Sequence, residues 1–97
     1  MSVIVEFTIF PTDKGESVSA HVARAARIIK ESGLSYKHGP MGTSIEGEWD
    51  QVMDVVNRCF HELEKDCRRI YTTLKADYRQ GAADRLEGKV RSLEAKI

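Results

Sequence analysis

The sequence predicts an α+β fold, a ferredoxin-like βαββαβ sandwich with a four-stranded antiparallel sheet and an extra C-terminal helix. Two segments with apolar residues at helical spacing flank a pair of short β-rich segments, and further β-rich segments begin and end this series. A third apolar stripe at helical spacing closes the chain. Ninety-seven residues suit one domain, so we expect residues 1–97 to form a single domain, in which a deep binding site needs a partner subunit.

The first strand is predicted over residues 3–10, VIVEFTIF, which are rich in β-branched and aromatic residues and end at Pro11. Side chains alternate along a strand, and one face is wholly apolar: Val3, Val5, Phe7 and Ile9. That face should cover the core. The other face combines a carboxylate and a hydroxyl with apolar residues, so we expect it to meet something other than open water.

The first helix is predicted after the loop PTDKGE, with Ser17 or Ser19 as its N-cap. It should end at Ser32–Gly33, because glycine readily adopts the left-handed conformation at a helix end. Three basic residues lie off its apolar stripe and are expected to face solvent: Arg24, Arg27 and Lys30.

The second strand is predicted over residues 34–40 at a sheet edge, and Met41–Gly42 turns into a third strand, Thr43 to Trp49. Asp50 is the expected N-cap of a second helix. This helix has the most regular apolar spacing in the chain: Val52, Val55, Val56, Cys59, Phe60 and Leu63.

The fourth strand is predicted over residues 69–79, RIYTTLKADYR, and its inner row should face the helices: Ile70, Thr72, Leu74 and Ala76. The terminal helix carries a short apolar stripe: Leu86, Val90, Leu93 and Ile97. Gly88 costs this helix up to ~1 kcal/mol relative to alanine. We therefore expect the helix to need docking, for instance against a neighbouring subunit.

The sheet face away from the two long helices is unusual because it combines carboxylates, hydroxyls and aromatic rings. Its members are Ile4, Glu6, Thr8, Phe10, Ser44, Glu46, Glu48, Tyr71, Thr73, Lys75 and Asp77. The first and third strands are central and adjacent in this fold, so Glu6 and Glu46 are expected on one face, where they repel each other unless a cation or a donor compensates. An aromatic wall would favour a flat cation. The pattern predicts a polar pocket for a small organic cation; the simpler interpretation is that Lys75 pairs with one carboxylate on a wet or packed surface.

Composition excludes several classes of protein. Fifteen basic and fifteen acidic residues give a formal net charge of zero, which argues against a generic nucleic-acid binder. No apolar run approaches the roughly 20 residues that span a bilayer. The amino terminus has no basic region before its apolar stretch, so it does not resemble a signal peptide.

Cysteine and histidine positions predict thiols and no metal site. Cys59 and Cys67 are expected in one helix, about 12 Å apart along its axis at 1.5 Å per residue, which is too far for a disulfide. Free thiols fit a reducing cytoplasm. No pair has zinc-site spacing, and the histidines are scattered: His21, His38 and His61. Without a nucleophile elbow, a phosphate-binding glycine loop or a cysteine–histidine pair at favourable spacing, we predict no enzyme, no catalytic residue and no cofactor.

Three segments, FTIFP, PMGTSIEG and RIYTTLKADYR, resemble the thiamine-binding protein family of small ferredoxin-like proteins. The resemblance covers almost the full length and implies non-catalytic binding of thiamine or its pyrimidine moiety by a dimer or tetramer whose subunits pair through their sheets. The residues that it suggests as ligand contacts are Glu6, Thr8, Phe10, Thr43, Ser44, Glu46, Tyr71 and Thr73. In this hypothesis a glutamate hydrogen-bonds the pyrimidine edge, hydroxyls supply further contacts and an aromatic ring meets a ring face.

Two alternatives remain. The protein could be a structural or regulatory oligomerisation module, whose open sheet only pairs with a second subunit. An RNA-binding ferredoxin-like domain ranks last, because that function needs basic and aromatic residues where this face carries carboxylates.

Overall fold

The computed structural model describes residues 2–81 and 83–97. In these residues the elements are β1 (Val3–Pro11), α1 (Ser19–Glu31), β2 (Ser35–Gly39), β3 (Gly42–Gly47), α2 (Trp49–Glu64), β4 (Ile70–Tyr78) and α3 (Arg85–Glu94). The strands form one antiparallel sheet in the order β2-β3-β1-β4. The predicted ferredoxin-like α+β fold with an additional C-terminal helix is confirmed.

The core lies between the sheet and one layer formed by α1 and α2. The predicted apolar face of β1 is buried, and two residues of α1, Ala25 and Ile29, pack against it. From α2 the core receives Val52, Val55, Cys59 and Leu63. Each large aliphatic side chain buried in this way contributes about 1.5–3 kcal/mol, so this apolar layer supplies most of the driving force for folding.

Both predicted helix N-caps are wrong. Val18, and not Ser17 or Ser19, is the N-cap residue of α1. For α2 the N-cap is Glu48, which forms a capping box with Gln51, so Asp50 already lies in the first turn. A reciprocal side-chain pair satisfies two free backbone amides, which one aspartate cannot do.

Two further expectations need correction. The third strand ends at Gly47, so Glu48 does not lie on the open face, and Trp49 begins α2. Arg24 does not simply face solvent: its guanidinium is half-buried and forms ion pairs with Glu62 and Asp66, which joins α1 to the end of α2.

Strand β4 is an edge strand with both faces accessible. Of its predicted inner row only Ile70 packs against the core, since Leu74 is 40% exposed and Thr72 and Ala76 are also exposed. The helices pack on β1 and β3. Cys67 lies beyond the end of α2, although both cysteines are buried free thiols, as expected.

The β2–β3 hairpin is fastened to β1 at Gly42. The Thr8 hydroxyl donates a hydrogen bond to the Met41 carbonyl at 2.8 Å. A Cβ atom at Gly42 would lie 2.6 Å from the Thr8 Oγ1 atom and 3.1 Å from the Phe7 carbonyl oxygen. Only glycine allows β1 to approach the hairpin this closely.

We predict that Gly42→Ala lowers the free energy of unfolding by about 1–3 kcal/mol, because the backbone oxygen of Phe7 cannot move aside without disturbing the sheet. Chemical denaturation measures this change. The matched control is Gly88→Ala in α3, where an added Cβ meets no atom within 4 Å. The control should keep stability or raise it by up to about 1 kcal/mol. Equal effects of the two substitutions would contradict the steric explanation.

Candidate functional site

Strands β1 and β4 pair to form a two-stranded ribbon, the β1–β4 ribbon. On its open face three pairs of facing residues differ in chemical character. Lys75 lies opposite Glu6, and Thr73 lies opposite Thr8. The third pair is Phe10 and Tyr71, whose ring centroids are 5.4 Å apart. A charged pair, a hydroxyl pair and an aromatic pair therefore follow one another along the ribbon.

Glu6 is an accessible carboxylate of this ribbon and, unlike Asp77, is not paired with α3 among the described residues. Its side chain is 50% exposed, and the Lys75 Nζ atom lies 3.9 Å from its Oε1 atom, beyond hydrogen-bonding range. An exposed ion pair at that distance contributes at most about 1 kcal/mol. Ser44 of β3 lies opposite Glu6 on the other side, and both residues line a cavity of about 260 Å³ beside the β2–β3 hairpin. The Glu6 carboxylate can thus accept hydrogen bonds from a ligand.

Glu46 has a different environment, since it is only 7% exposed and caps α3. Its carboxylate accepts hydrogen bonds from the backbone amides of Arg85 at 2.9 Å and Leu86 at 3.1 Å, and from the Ser2 hydroxyl at 2.8 Å. Asp84, the N-cap residue of α3, has a left-handed backbone with φ 54° and makes no side-chain capping bond within the described residues. Glu46 takes the role of the cap from a neighbouring strand.

Glu6 and Glu46 share one face, as expected. Glu46 lies opposite Ile4 and Glu6 lies opposite Ser44, so the two glutamates are diagonal neighbours on adjacent strands, typically about 7–8 Å apart. The positive end of the α3 dipole and two amide donors compensate the charge of Glu46. Backbone amides of the protein itself therefore supply the compensating donors that were predicted for Glu46.

Carboxylates on the sheet dock α3 electrostatically. Burial alone would raise the pKa of Glu46, but the amides of Arg85 and Leu86 and the Ser2 hydroxyl outweigh it and hold that pKa below its ordinary value. The pKa of Asp77 is also lowered, because this carboxylate receives hydrogen bonds from Lys89 and Arg85. The start of α3 is fastened to the sheet of its own chain, whereas its apolar residues Val90 and Leu93, and Ile97 beyond its end, remain exposed.

Thr43 lies on the opposite side of the sheet. It pairs with Phe7, whose side chain is in the core, and its Oγ1 atom is 2.8 Å from the His38 Nδ1 atom. A cavity of about 430 Å³ lies on this side, between α1 and the hairpin. Its lining is mostly apolar and includes Phe7, Ile9, Val22, Ala25, Ile29 and Met41.

The eight predicted ligand contacts therefore do not form one cluster. Seven lie on the open face, and six of these are not covered by α3: Glu6, Thr8, Phe10, Ser44, Tyr71 and Thr73. Glu46 is engaged beneath α3, and Thr43 borders the cavity on the helix side. Strand alternation already separates Thr43 from Ser44, whereas no sequence signal links Glu46 to Arg85.

Comparisons with known proteins give a consistent result. Residues 5–94 match the family model described as thiamine-binding protein. A UPF0045 protein of Mycobacterium bovis is 37% identical over 95 residues, which cover 97% of this chain and 93% of that protein.

Two solved structures are similar along nearly the whole chain. A hypothetical protein of Methanocaldococcus jannaschii superposes with a TM-score of 0.90 and 29% identity, covering 96% of each chain. A Thermotoga maritima protein provisionally assigned to thiamine biosynthesis or salvage has a TM-score of 0.85 and 29% identity, covering 96% of this chain and 99% of that one. Among the described residues, no helix combines the length and apolar character needed to cross a membrane.

We predict that Glu46→Gln loosens α3, because the amide side chain keeps one acceptor but loses the charge that the helix N-terminus stabilises. The expected loss is about 1–3 kcal/mol. Hydrogen-exchange protection of residues 85–94 measures it, with Glu94→Gln at the exposed end of the same helix as the control. Retained protection in Glu46→Gln would show that α3 does not depend on this cap.

Acid should loosen α3 in the unsubstituted protein. A carboxylate whose pKa is lowered by folding stabilises the folded state fully above its unfolded pKa, and that contribution is lost as the pH falls through the folded value. The ordinary pKa of a glutamate such as Glu46 is 4.5, and that of an aspartate such as Asp77 is 3.8. The hydrogen-exchange protection of residues 85–94 should therefore decrease as the pH falls below 4.5. If the core residues of α2 lost protection at the same pH and to the same extent, a selective release of α3 would be excluded.

Proposed function

Because the chain belongs to the thiamine-binding protein family, we propose that it binds thiamine or a related pyrimidine or thiazolium compound without transforming it. In this proposal residues 1–97 act as one binding domain. The ligand lies on the open sheet face, in a polar pocket that a second copy of the chain closes. Its contacts are Glu6, Thr8, Phe10, Ser44, Tyr71 and Thr73, while Glu46 acts indirectly by positioning α3.

The observation that carries the location is the order of chemical groups along the β1–β4 ribbon. Thiamine joins an aminopyrimidine, which offers donors and acceptors, to a thiazolium ring with a permanent positive charge. The Glu6 carboxylate suits the aminopyrimidine, because hydrogen bonds to an ionised partner are about twice as strong as neutral ones. The Phe10–Tyr71 pair suits the cationic ring through the ring quadrupole.

Distances along the strand agree with this arrangement. Successive residues on one face are about 7 Å apart at roughly 3.4 Å per residue, so Thr8 and Thr73 lie about 7 Å from the Glu6 pair and an equal step from the aromatic pair. The two rings of thiamine are joined by one methylene group, so a ligand lying along the strand would have its bridge near the hydroxyls, its aminopyrimidine on the Glu6 side and its thiazolium on the side of the aromatic pair. Ser44 adds a hydroxyl from β3 beside Glu6.

The site requires a cover, because Tyr71 is 54% exposed and Glu6 is half-exposed on one subunit. A second copy placed sheet to sheet would remove both from water and strengthen every electrostatic contact. The exposed edge strand β4 and the apolar residues of α3 give such a dimer, or a tetramer, additional surface to bury. Two buried free thiols fit the reducing cytoplasm that we propose as its location.

A second candidate function is an oligomerisation module without a small ligand. The exposure of both faces of β4 favours it, since such a strand can be buried by subunit pairing alone. A second candidate position for the ligand is the cavity between α1 and the hairpin, whose volume of about 430 Å³ is typical of small-molecule pockets.

We predict that Glu6→Gln weakens thiamine binding by about 1.5–3 kcal/mol, because the ligand loses a charge-assisted hydrogen bond. Isothermal titration calorimetry with thiamine measures this loss. Glu31→Gln is the matched control, because Glu31 is an exposed carboxylate at the end of α1. Its affinity should equal that of the unsubstituted protein.

The substitution Thr43→Val distinguishes the two candidate positions of the ligand, the open sheet face and the cavity beside α1, because Thr43 lines only the cavity. If Thr43→Val weakens binding and Glu6→Gln does not, the ligand occupies the cavity beside α1 and the open-face site is wrong. If thiamine gives no heat at millimolar concentration while the protein is a stable oligomer, the oligomerisation module is the better description.

A further inference from the structure

Folding brings three side chains with metal-binding atoms together outside the proposed thiamine site. His21 lies in the first turn of α1, and Asp66 and Cys67 follow the end of α2. One potential ligand atom from each of the three lies within 4.8 Å of the others. Sequence spacing predicts no metal site, because His21 is distant in the chain from the two residues that it meets in space.

The distances approach those of a tetrahedral site. Zinc bonds of about 2.0–2.2 Å to nitrogen and oxygen and about 2.3 Å to sulfur place neighbouring ligand atoms about 3.4–3.6 Å apart. The His21 Nε2 atom is 3.8 Å from Asp66 Oδ2, and the Cys67 Sγ atom is 3.8 Å from Asp66 Oδ1. Small side-chain rotations close the difference. We propose that His21, Asp66 and Cys67 bind a zinc-class divalent metal ion, with water completing the coordination.

The orientation of the histidine ring matters for this cluster. The Nδ1 atom of His21 is buried and has no hydrogen-bond partner among the described residues, whereas Nε2 is the ring nitrogen that faces Asp66. A neutral imidazole that carries its proton on Nδ1 directs the lone pair of Nε2 at the cluster, which is the form that a metal requires.

Arg24, which is not one of the three proposed ligands, hydrogen-bonds the Asp66 carboxylate. Its Nη1 atom is 2.9 Å from Asp66 Oδ1 and 3.0 Å from Oδ2, and its Nη2 atom is 2.9 Å from Glu62 Oε2. Metal-bound carboxylates are commonly hydrogen-bonded in this way by a second residue. Both oxygens of Asp66 lie near Arg24, but each oxygen of an ionised carboxylate has more than one lone pair, so Asp66 can accept from Arg24 and also bind the metal. Glu62 balances the charge of Arg24, and the thiolate with Asp66 balances a divalent ion.

The three donor atoms are an imidazole nitrogen, a carboxylate oxygen and a thiolate sulfur, and their chemistry indicates which class of ion would bind. Thiolate and imidazole ligands suit zinc and similar transition metals, whereas magnesium and calcium prefer oxygen ligands. Burial raises the pKa of the Cys67 thiol, and the neighbouring Asp66 charge acts in the same direction, so the metal must displace a firmly held proton. Binding would join the start of α1 to the loop before β4 and should raise the melting temperature.

Cobalt(II) is the probe, because it occupies zinc sites and reports a thiolate ligand through a charge-transfer band in its absorption spectrum. We expect that band in the unsubstituted protein and its loss in Cys67→Ser. The control is Cys59→Ser, whose buried thiol donates to the Ala25 carbonyl at 3.5 Å and belongs to the core. Absence of the band, or its survival in Cys67→Ser, would overturn the proposal.

Zinc affinity, measured by competition with a chromophoric chelator, tests the other two ligands even if Cys67→Ser does not fold. His21→Asn and Asp66→Asn should each weaken zinc binding by more than about tenfold, since changes outside the ligand shell alone can cost 10- to 100-fold. The exposed His61, which pairs with Glu64, provides the control His61→Asn. Equal affinity in His21→Asn and His61→Asn would overturn the assignment of His21. The assay contains no thiamine, so its outcome is independent of the proposed function.

Discussion

Strand β1 is hydrogen-bonded to β3 on one side and β4 on the other, and this constraint determines what each sheet face can do. A one-residue slip would turn every side chain of the strand to the opposite face, so the buried apolar row fixes the register. Val5 and Phe7 hold the helices, and Glu6 and Thr8 must therefore point away from them. The polar open face is a consequence of how the core is filled.

The two glutamates of that face, Glu6 and Glu46, have different partners. Glu46 satisfies two amides at the start of α3 and is unavailable to a ligand without releasing the helix. Glu6 meets only a distant lysine and stays accessible. This difference explains how two glutamates can lie on adjacent strands of one small face. Glu46 also joins β3 to α3, whose apolar residues Val90 and Leu93 are exposed.

Patterns that depend on periodicity were predictable from the sequence. The alternation in β1 and the apolar stripe of α2 predicted which faces of these two elements are buried, and the order of strands and helices along the chain predicted the fold. Features that depend on contacts between distant residues were not. Nothing local to Glu46 indicates that it caps a helix beginning at Arg85, and nothing near His21 indicates Asp66 and Cys67 as neighbours. The N-cap of α2 was misassigned because residue preference was weighed without the reciprocal partner, Gln51, that makes Glu48 the better cap.

The central claim is that a ligand of the thiamine class lies along β1 and β4 on the open face, between two copies of the chain. A crystal structure of the protein with thiamine tests it most directly. The account predicts the aminopyrimidine within hydrogen-bonding distance of the Glu6 carboxylate, the thiazolium against the Phe10–Tyr71 pair and a second subunit over both. Thiamine in the cavity beside α1, or an open face left bare to solvent in the complex, would contradict it.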